Sequence, residues 1–253
     1  MTFLELQNQN HFTVPWSSFT GNQSAAKCFE GEHVVDNYKE IAYHINEYRF
    51  RHNTNMSKKI VVFCGCSMTF GTGLAEEDTY PHVVTSALGN EFDYLNLGMP
   101  STGPDIQMLN LTWALNNFKI DKIFWYLSDY HRQIIFKDSH INLYIPNHYY
   151  NEWFDHGIGK KFVEVNSMLD ETWRLKTYWN LYSLFSLIKN KNIETYISCW
   201  DRALDTELEN LRKEFNFKPL GNLGWADHAR DKMHPGIISH QQFAEDILKQ
   251  ARN

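Results

Sequence analysis

The first 55 or so residues carry no sustained apolar period, and their one regular stretch, residues 35–43, reads as a short helix. From Lys59 the pattern changes. Residues 60–64 (Ile-Val-Val-Phe-Cys) are an unbroken β-branched and aromatic run, as expected of a strand buried on both faces. The acidic cluster Glu76-Glu77-Asp78 then precedes Pro81, with Val83, Val84, Ala87 and Leu88 at helical spacing and Gly89 as the stop. Residues 92–97 predict a second strand. Pro104-Asp105 opens a helix with Ile106, Leu109 and Trp113 on one face, and residues 122–127 predict a third strand.

An aromatic insertion rich in His, Asn and Tyr follows, over about residues 130–162, with no assignable period. Beyond it, residues 168–189 predict a long amphipathic helix with Leu169, Trp173, Leu181, Phe185 and Ile188 as its apolar positions. A fourth strand over 193–199, a charged helix over 206–215 and a last helix over 238–250 complete the pattern. Phe243, Ala244, Ile247 and Leu248 mark the inward face of that last helix. Strands alternating with helices imply an α/β fold, a parallel sheet sandwiched between helices. Residues 1–55 read as an arm packed on a single domain, residues 56–253. In such sheets the ligand crevice lies at the C-terminal ends of the strands. Ser67 follows the first strand and Ser128-Asp129 follow the third, so both fall at that edge.

Composition narrows the function. A chain of 253 residues is long enough for one sizeable domain. The net charge of -6 and the lack of a Lys/Arg run argue against a nucleic-acid partner. No apolar stretch of about 18 residues predicts a membrane span, and the N-terminal residues do not resemble a secretory signal. Four cysteines (Cys28, Cys64, Cys66 and Cys199) are too few for a disulfide scaffold, so a reducing, cytoplasmic setting is expected. Strand alternation puts Cys64 and Cys66 on one face, yet no partner motif completes a tetrahedral metal set. Asp227, His228, Asp231 and His234 lie close enough in sequence to suggest a divalent ion. The expectation remains no metal and no cofactor.

Two distant segments carry the chemistry. Gly65-Cys66-Ser67-Met68-Thr69-Phe70-Gly71 follows the first strand, and Asp231-Lys232-Met233-His234-Pro235 lies near the C-terminus. Together they offer a hydroxyl, an imidazole to take its proton and a carboxylate to orient the imidazole. Thr69 stands where a Gly-x-Ser-x-Gly elbow would need its second glycine. The blander readings are a loop serine at Ser67, helix-capping residues at Asp231 and His234, and a turn at Ser128-Asp129.

The first segment resembles block one of the SGNH (GDSL-type) hydrolases, Gly-Asp-Ser-x-Thr-x-Gly. The likeness extends through later blocks in order. Asn96-Leu97-Gly98-Met99-Pro100-Ser101 resembles block two, Tyr126-Leu127-Ser128-Asp129 stands in the place of block three, and Asp231-x-x-His234-Pro235 matches the last block. Asn46-Glu47-Tyr48-Arg49-Phe50-Arg51 resembles the segment that often precedes block one in carbohydrate-esterase relatives. The resemblance implies a three-layer α/β/α sandwich of flavodoxin-like topology, with Ser67 as nucleophile, His234 as general base and Asp231 as its orienter. It also implies an oxyanion hole from the Ser67 N–H, a Ser101 N–H and a Ser128 side-chain donor, with Gly103 as the alternative to Ser101. Cys66, Ser101 and Ser128 depart from the family's aspartate, glycine and asparagine. The expected activity is serine ester hydrolysis or O-deacylation of a small-molecule or glycan ester, with acyl groups on carbohydrate preferred. The alternatives are a binding or structural protein that keeps the fold without efficient turnover, and an O-acyltransferase using the same triad.

Overall fold

A strand with no polar face has to be covered on both sides, and the chain supplies helices for each. The computed structural model describes residues 34–35, 42–44, 46, 48, 50–52, 54–100, 102–137, 140–144, 168–200, 204–230 and 232–251. Two short strands, β1 (Val34–Val35) and β2 (Ala42–Tyr43), pair antiparallel, with Val34 opposite Tyr43. This corrects the helix expected over residues 35–43: its two described ends are extended, in keeping with the β preference of valine and tyrosine.

Next come β3 (Lys59–Gly65), the one-turn helix α1 (Ser67–Phe70), a 3-10 turn (Glu76–Asp78), α2 (Tyr80–Leu88), β4 (Phe92–Asn96), α3 (Pro104–Asn117) and β5 (Ile120–Leu127). A hairpin, β6 (Gln133–Lys137) and β7 (His140–Tyr144), begins the stretch that had no assignable period. The chain continues through α4 (Asp170–Asn190), β8 (Glu194–Cys199), α5 (Asp205–Phe215), β9 (Lys218–Pro219) and α6 (Ile237–Ala251). β9 had no signal in the sequence. It is two residues long and contains a proline, which restricts it to the sheet edge where it is found.

The central sheet is entirely parallel, in the order β4-β3-β5-β8-β9. Counted by appearance in this sheet, that order is 2-1-3-4-5, the flavodoxin-like arrangement, whose switch point falls between β3 and β5. Ile60, Val62 and Cys64 of β3, with Ile123, Trp125 and Leu127 of β5, pack under α3, α4 and α5. Val61, Phe63, Phe124, Tyr126 and Tyr196 pack on the other side, under α2 and α6. Neighbouring strands stack rings on that second face, Phe63 on Phe124 at 5.1 Å and Phe124 on Tyr196 at 4.9 Å. Three layers result: α, β, α.

Cys64 and Cys66 do not share a face. Cys64 belongs to the α3 side and Cys66 to the α2–α6 side. The strand ends at Gly65 and the chain turns through Cys66 to begin α1, which breaks the alternation. The described arm residues Tyr43 and Phe50 join the α3-side core, with Phe50 5.6 Å from Trp113 between ring centroids. Most of residues 1–55, and most of the aromatic insertion, lie outside the described residues. Among the described residues no helix is long and apolar enough to cross a membrane.

Candidate active site

The nucleophile candidate sits where β3 runs into α1. Gly65 is the last residue of the strand, and a Cβ there would lie 2.0 Å from Thr69 Oγ1 and 2.8 Å from the Tyr126 carbonyl oxygen. Only a residue without a side chain lets strand and helix approach so closely. Ser67 opens α1 and is nearly buried, its hydroxyl donating weakly to Cys66 Sγ at 3.9 Å. The Ser67 carbonyl accepts the N–H groups of Gly71 and Thr72, while its own N–H meets no acceptor among the described residues.

Two side chains that lie within the quoted motifs but were given no role there hold this turn. Asn96 donates from Nδ2 to the Thr69 carbonyl at 3.1 Å and accepts the Gly98 N–H on Oδ1 at 2.9 Å. Gly98 lies so close that a Cβ would come within 2.4 Å of Phe70 N. Arg51, fully buried, donates from Nη1 to the carbonyls of Phe70 and Gly71 and from Nη2 to that of Leu74, each at 2.8 Å. Its guanidinium lies over the rings of Tyr43 and Phe70. Burial pulls its pKa below the ordinary arginine value, against the opposing field of Tyr43 and Glu76. Tyr43 adds a further tie by accepting the Gly73 N–H at 2.8 Å. Tyr43 and Arg51 therefore hold the loop after Ser67 directly.

Ser101 lies outside the described residues. Gly103 caps the start of α3, and its N–H has no acceptor among the described residues. A Cβ on Gly103 would sit 1.7 Å from the Arg132 carbonyl oxygen, so the turn after β5 packs flush against it.

Ser128 is fully buried, and its hydroxyl proton goes elsewhere than to a crevice. Its Oγ donates to the Thr102 carbonyl at 2.8 Å and accepts from Gln107 Nε2 at 2.7 Å. Gln107 Oε1 in turn accepts Trp125 Nε1–H at 3.0 Å. A buried polar group needs such partners, and this closed network ties the 102–103 turn to the end of β5. The sequence expected apolar Ile106, Leu109 and Trp113 on one face of α3. Instead most of the helix is buried, Gln107 and Asn110 included, because α4 and the β6 hairpin pack on it as well as the sheet.

His234 lies half-buried in the loop before α6. Its carbonyl accepts the Ala229 N–H at 2.8 Å, and His228 pairs with Pro235 as an isolated antiparallel bridge. The loop docks on the nucleophile loop through Arg230 N–H donating to the Gly73 carbonyl at 3.4 Å. Asp231 lies outside the described residues. Asp227 does the capping work: Oδ1 accepts the Ser239 N–H at 2.9 Å and Oδ2 the Ile238 N–H at 3.1 Å. Its carboxyl stays below the usual range, since those bonds outweigh the opposing effect of burial. Among the described residues no three His, Cys, Asp or Glu side chains gather to hold a metal. His240, nearby on α6, accepts the Tyr80 N–H on Nδ1, and burial drops its pKa to about 3, so it is neutral.

Beside Ser128, His131 is held between Asp129 (2.6 Å) and Asp170 (2.7 Å), which raises its pKa. Asp129 stays ionised below the usual range: burial opposes this, and the bonds from His131 outweigh it. A groove of about 390 Å³ between α3 and α4, lined by Met108, Leu109, Leu184 and Leu187, carries none of this chemistry.

No protein-family model matches the sequence, and no curated protein does. Solved structures do match. TesA is 11% identical over 77% of this chain and 98% of its own, with a TM-score of 0.52. A member of the lipolytic G-D-S-L family from Veillonella parvula is 15% identical over 76% of this chain and 97% of its own, TM-score 0.46. The acetyl xylan esterase Est2A from Butyrivibrio proteoclasticus is 13% identical over 80% of this chain and 65% of its own, TM-score 0.49. The three-layer sandwich around a parallel sheet is the fold that this chain shares with TesA.

Proposed function

We propose that this chain is a serine ester hydrolase, an O-deacylase acting on an acylated carbohydrate, working through an acyl-enzyme on Ser67. The observation that carries the reading is the placement of Ser67. It opens α1 at the sheet's switch point with its N–H unengaged, and the His234 loop is docked on the same turn through Arg230 and Gly73. In this reading His234 takes the Ser67 proton as Oγ bonds to the acyl carbon. The tetrahedral oxyanion is met by the N–H groups of Ser67 and Gly103, and His234 protonates the leaving alcohol as the C–O bond breaks. Water, deprotonated by His234, then releases the acid and frees Ser67. Asp231 fixes the imidazole orientation. Gly103 replaces Ser128 as donor, since the Ser128 proton is already given to Thr102.

The carbohydrate part rests on the Asn46 to Arg51 segment and its grip on the nucleophile loop. A second reading, a binding protein without turnover, draws on the same closed Ser128 hydroxyl, which leaves the hole without a side-chain donor. Kinetics on para-nitrophenyl acetate and acetylated oligosaccharides decide between them. The hydrolase reading expects turnover above background and a loss of kcat of about 10³-fold or more in Ser67→Ala and in His234→Ala. Turnover that survives both substitutions, or none in folded wild type, would overturn it.

A further inference from the structure

Arg51, Arg174 and Arg212 each commit their guanidinium groups to carbonyls or carboxylates of the protein. Arg132 does not. Its guanidinium lies over the Trp200 ring, 5.2 Å from the centroid, and makes no ion pair or hydrogen bond among the described residues. Its Nε is buried without a partner, and so is Nε1 of Trp200. Two orphaned donors side by side are uncommon in a folded protein, where buried polar groups find partners.

Their place in the fold gives the orphans a use. Arg132 follows β5 and Trp200 follows β8, the backbone N–H of Trp200 donating to the Leu127 carbonyl, so both stand at the C-terminal edge of the sheet. The Arg132 carbonyl is the atom packed against Gly103. Trp200 packs on the α2–α6 side of the sheet, the side that also holds Cys66 and Met68 around the nucleophile. The nearest negative charge on the same turn, Asp129, is bonded to His131 and helped below its usual range by the Arg132 field. A guanidinium over an indole face, with no protein partner for its fork among the described residues, can bind a carboxylate with two parallel hydrogen bonds.

We propose that Arg132, lying over the Trp200 ring, is the specificity-determining residue of the site, and that the substrate carries a carboxylate near its scissile ester. The proposal rests on the hydrolase reading and names its substrate class. The carboxylate could belong to the alcohol, as in an acidic sugar, or to the acyl group, as in a dicarboxylic half-ester.

Two matched pairs of esters test it on the whole chain. meta-Acetoxybenzoate with its methyl ester puts the charge on the alcohol side, and mono-para-nitrophenyl adipate with its methyl ester puts it on the acyl side. In wild type the acid member of one pair should be favoured by about tenfold or more in kcat/KM, through KM. Arg132→Gln should erase that preference, so that the acid and its methyl ester differ by less than about twofold, and Arg132→Lys should restore part of it. No preference in wild type, or one that persists in Arg132→Gln, would overturn the proposal. If folded wild type turns over no ester and takes no fluorophosphonate, the hydrolase reading fails separately. Calorimetric binding of adipate or meta-hydroxybenzoate, lost in Arg132→Gln, would then still support the Arg132 site, and absence of binding would refute it.

Discussion

Arg51 shows how a single side chain can hold a distant loop. Three carbonyls of the loop after Ser67 converge on one guanidinium, a geometry a lysine ammonium cannot reproduce. Arg51→Met should cost about 3 kcal/mol and lower Tm by roughly 6–12 °C, because it leaves buried carbonyls unpaired. Thermal denaturation checks this, and a Tm unchanged within about one degree would refute it. At this scale the motifs Gly65 to Gly71 and Asp231 to Pro235 drew attention to Ser67, which opens α1 at the end of β3, and to His234, in the loop before α6. The sequence was not legible at Gln107. A glutamine one step from Ile106 on a helix looks solvent-facing, and only the burial of α3 on several sides reveals its bonds to Ser128 and Trp125.

Among elements, the join between arm and domain has a charge switch. His52 bridges Glu76, in the 3-10 turn, and Asp93 of β4 (2.9 Å), and stacks on Tyr94 at 3.9 Å. Burial alone would lower its pKa, but the bonds to Asp93 and Glu76 raise it to about 9 and hold both carboxyls down. A raised histidine contributes stability that is full below its unfolded value near 6.5 and is lost as pH climbs through about 9. The depressed carboxyls contribute above their unfolded values and lose it in acid. The cluster should therefore stabilise most between about pH 5 and 6.5. His52→Asn, which tolerates the positive φ of 84° at this position, should lower Tm at about pH 6. The gap from wild type should narrow by about pH 9.5. A gap that does not change with pH would contradict the assignment. The long periodic elements, β3, β5, α4 and α6, were readable from apolar spacing. β9 and the β1–β2 pair were not, since two-residue strands carry no period and owe their conformation to what they pair with.

For the molecule as a whole, alternation of strands and helices was enough to predict a parallel sheet between helical layers. The flavodoxin-like order came from the family resemblance, and the structure shows it. The order matters because it sets the ends of β3 and β5 side by side, which is how Ser67, Gly103 and Ser128, from three separate segments, reach one edge. The loop that carries His234 follows β9 at the far edge of the sheet and touches the turn after α1 through Arg230 and Gly73, a contact that sequence spacing could not trace. Against a net charge of -6, Arg132, which makes no ion pair among the described residues, would be a local attraction at that edge for the carboxylate-bearing substrate proposed above.

The central claim is an activated serine at Ser67. It is tested most directly by treating the folded protein with a fluorophosphonate and mapping the adduct by mass spectrometry, beside Ser67→Ala and His234→Ala. The account predicts a single adduct on Ser67 in wild type and none in either variant. No adduct in folded wild type, or one that persists after Ser67→Ala, would contradict it.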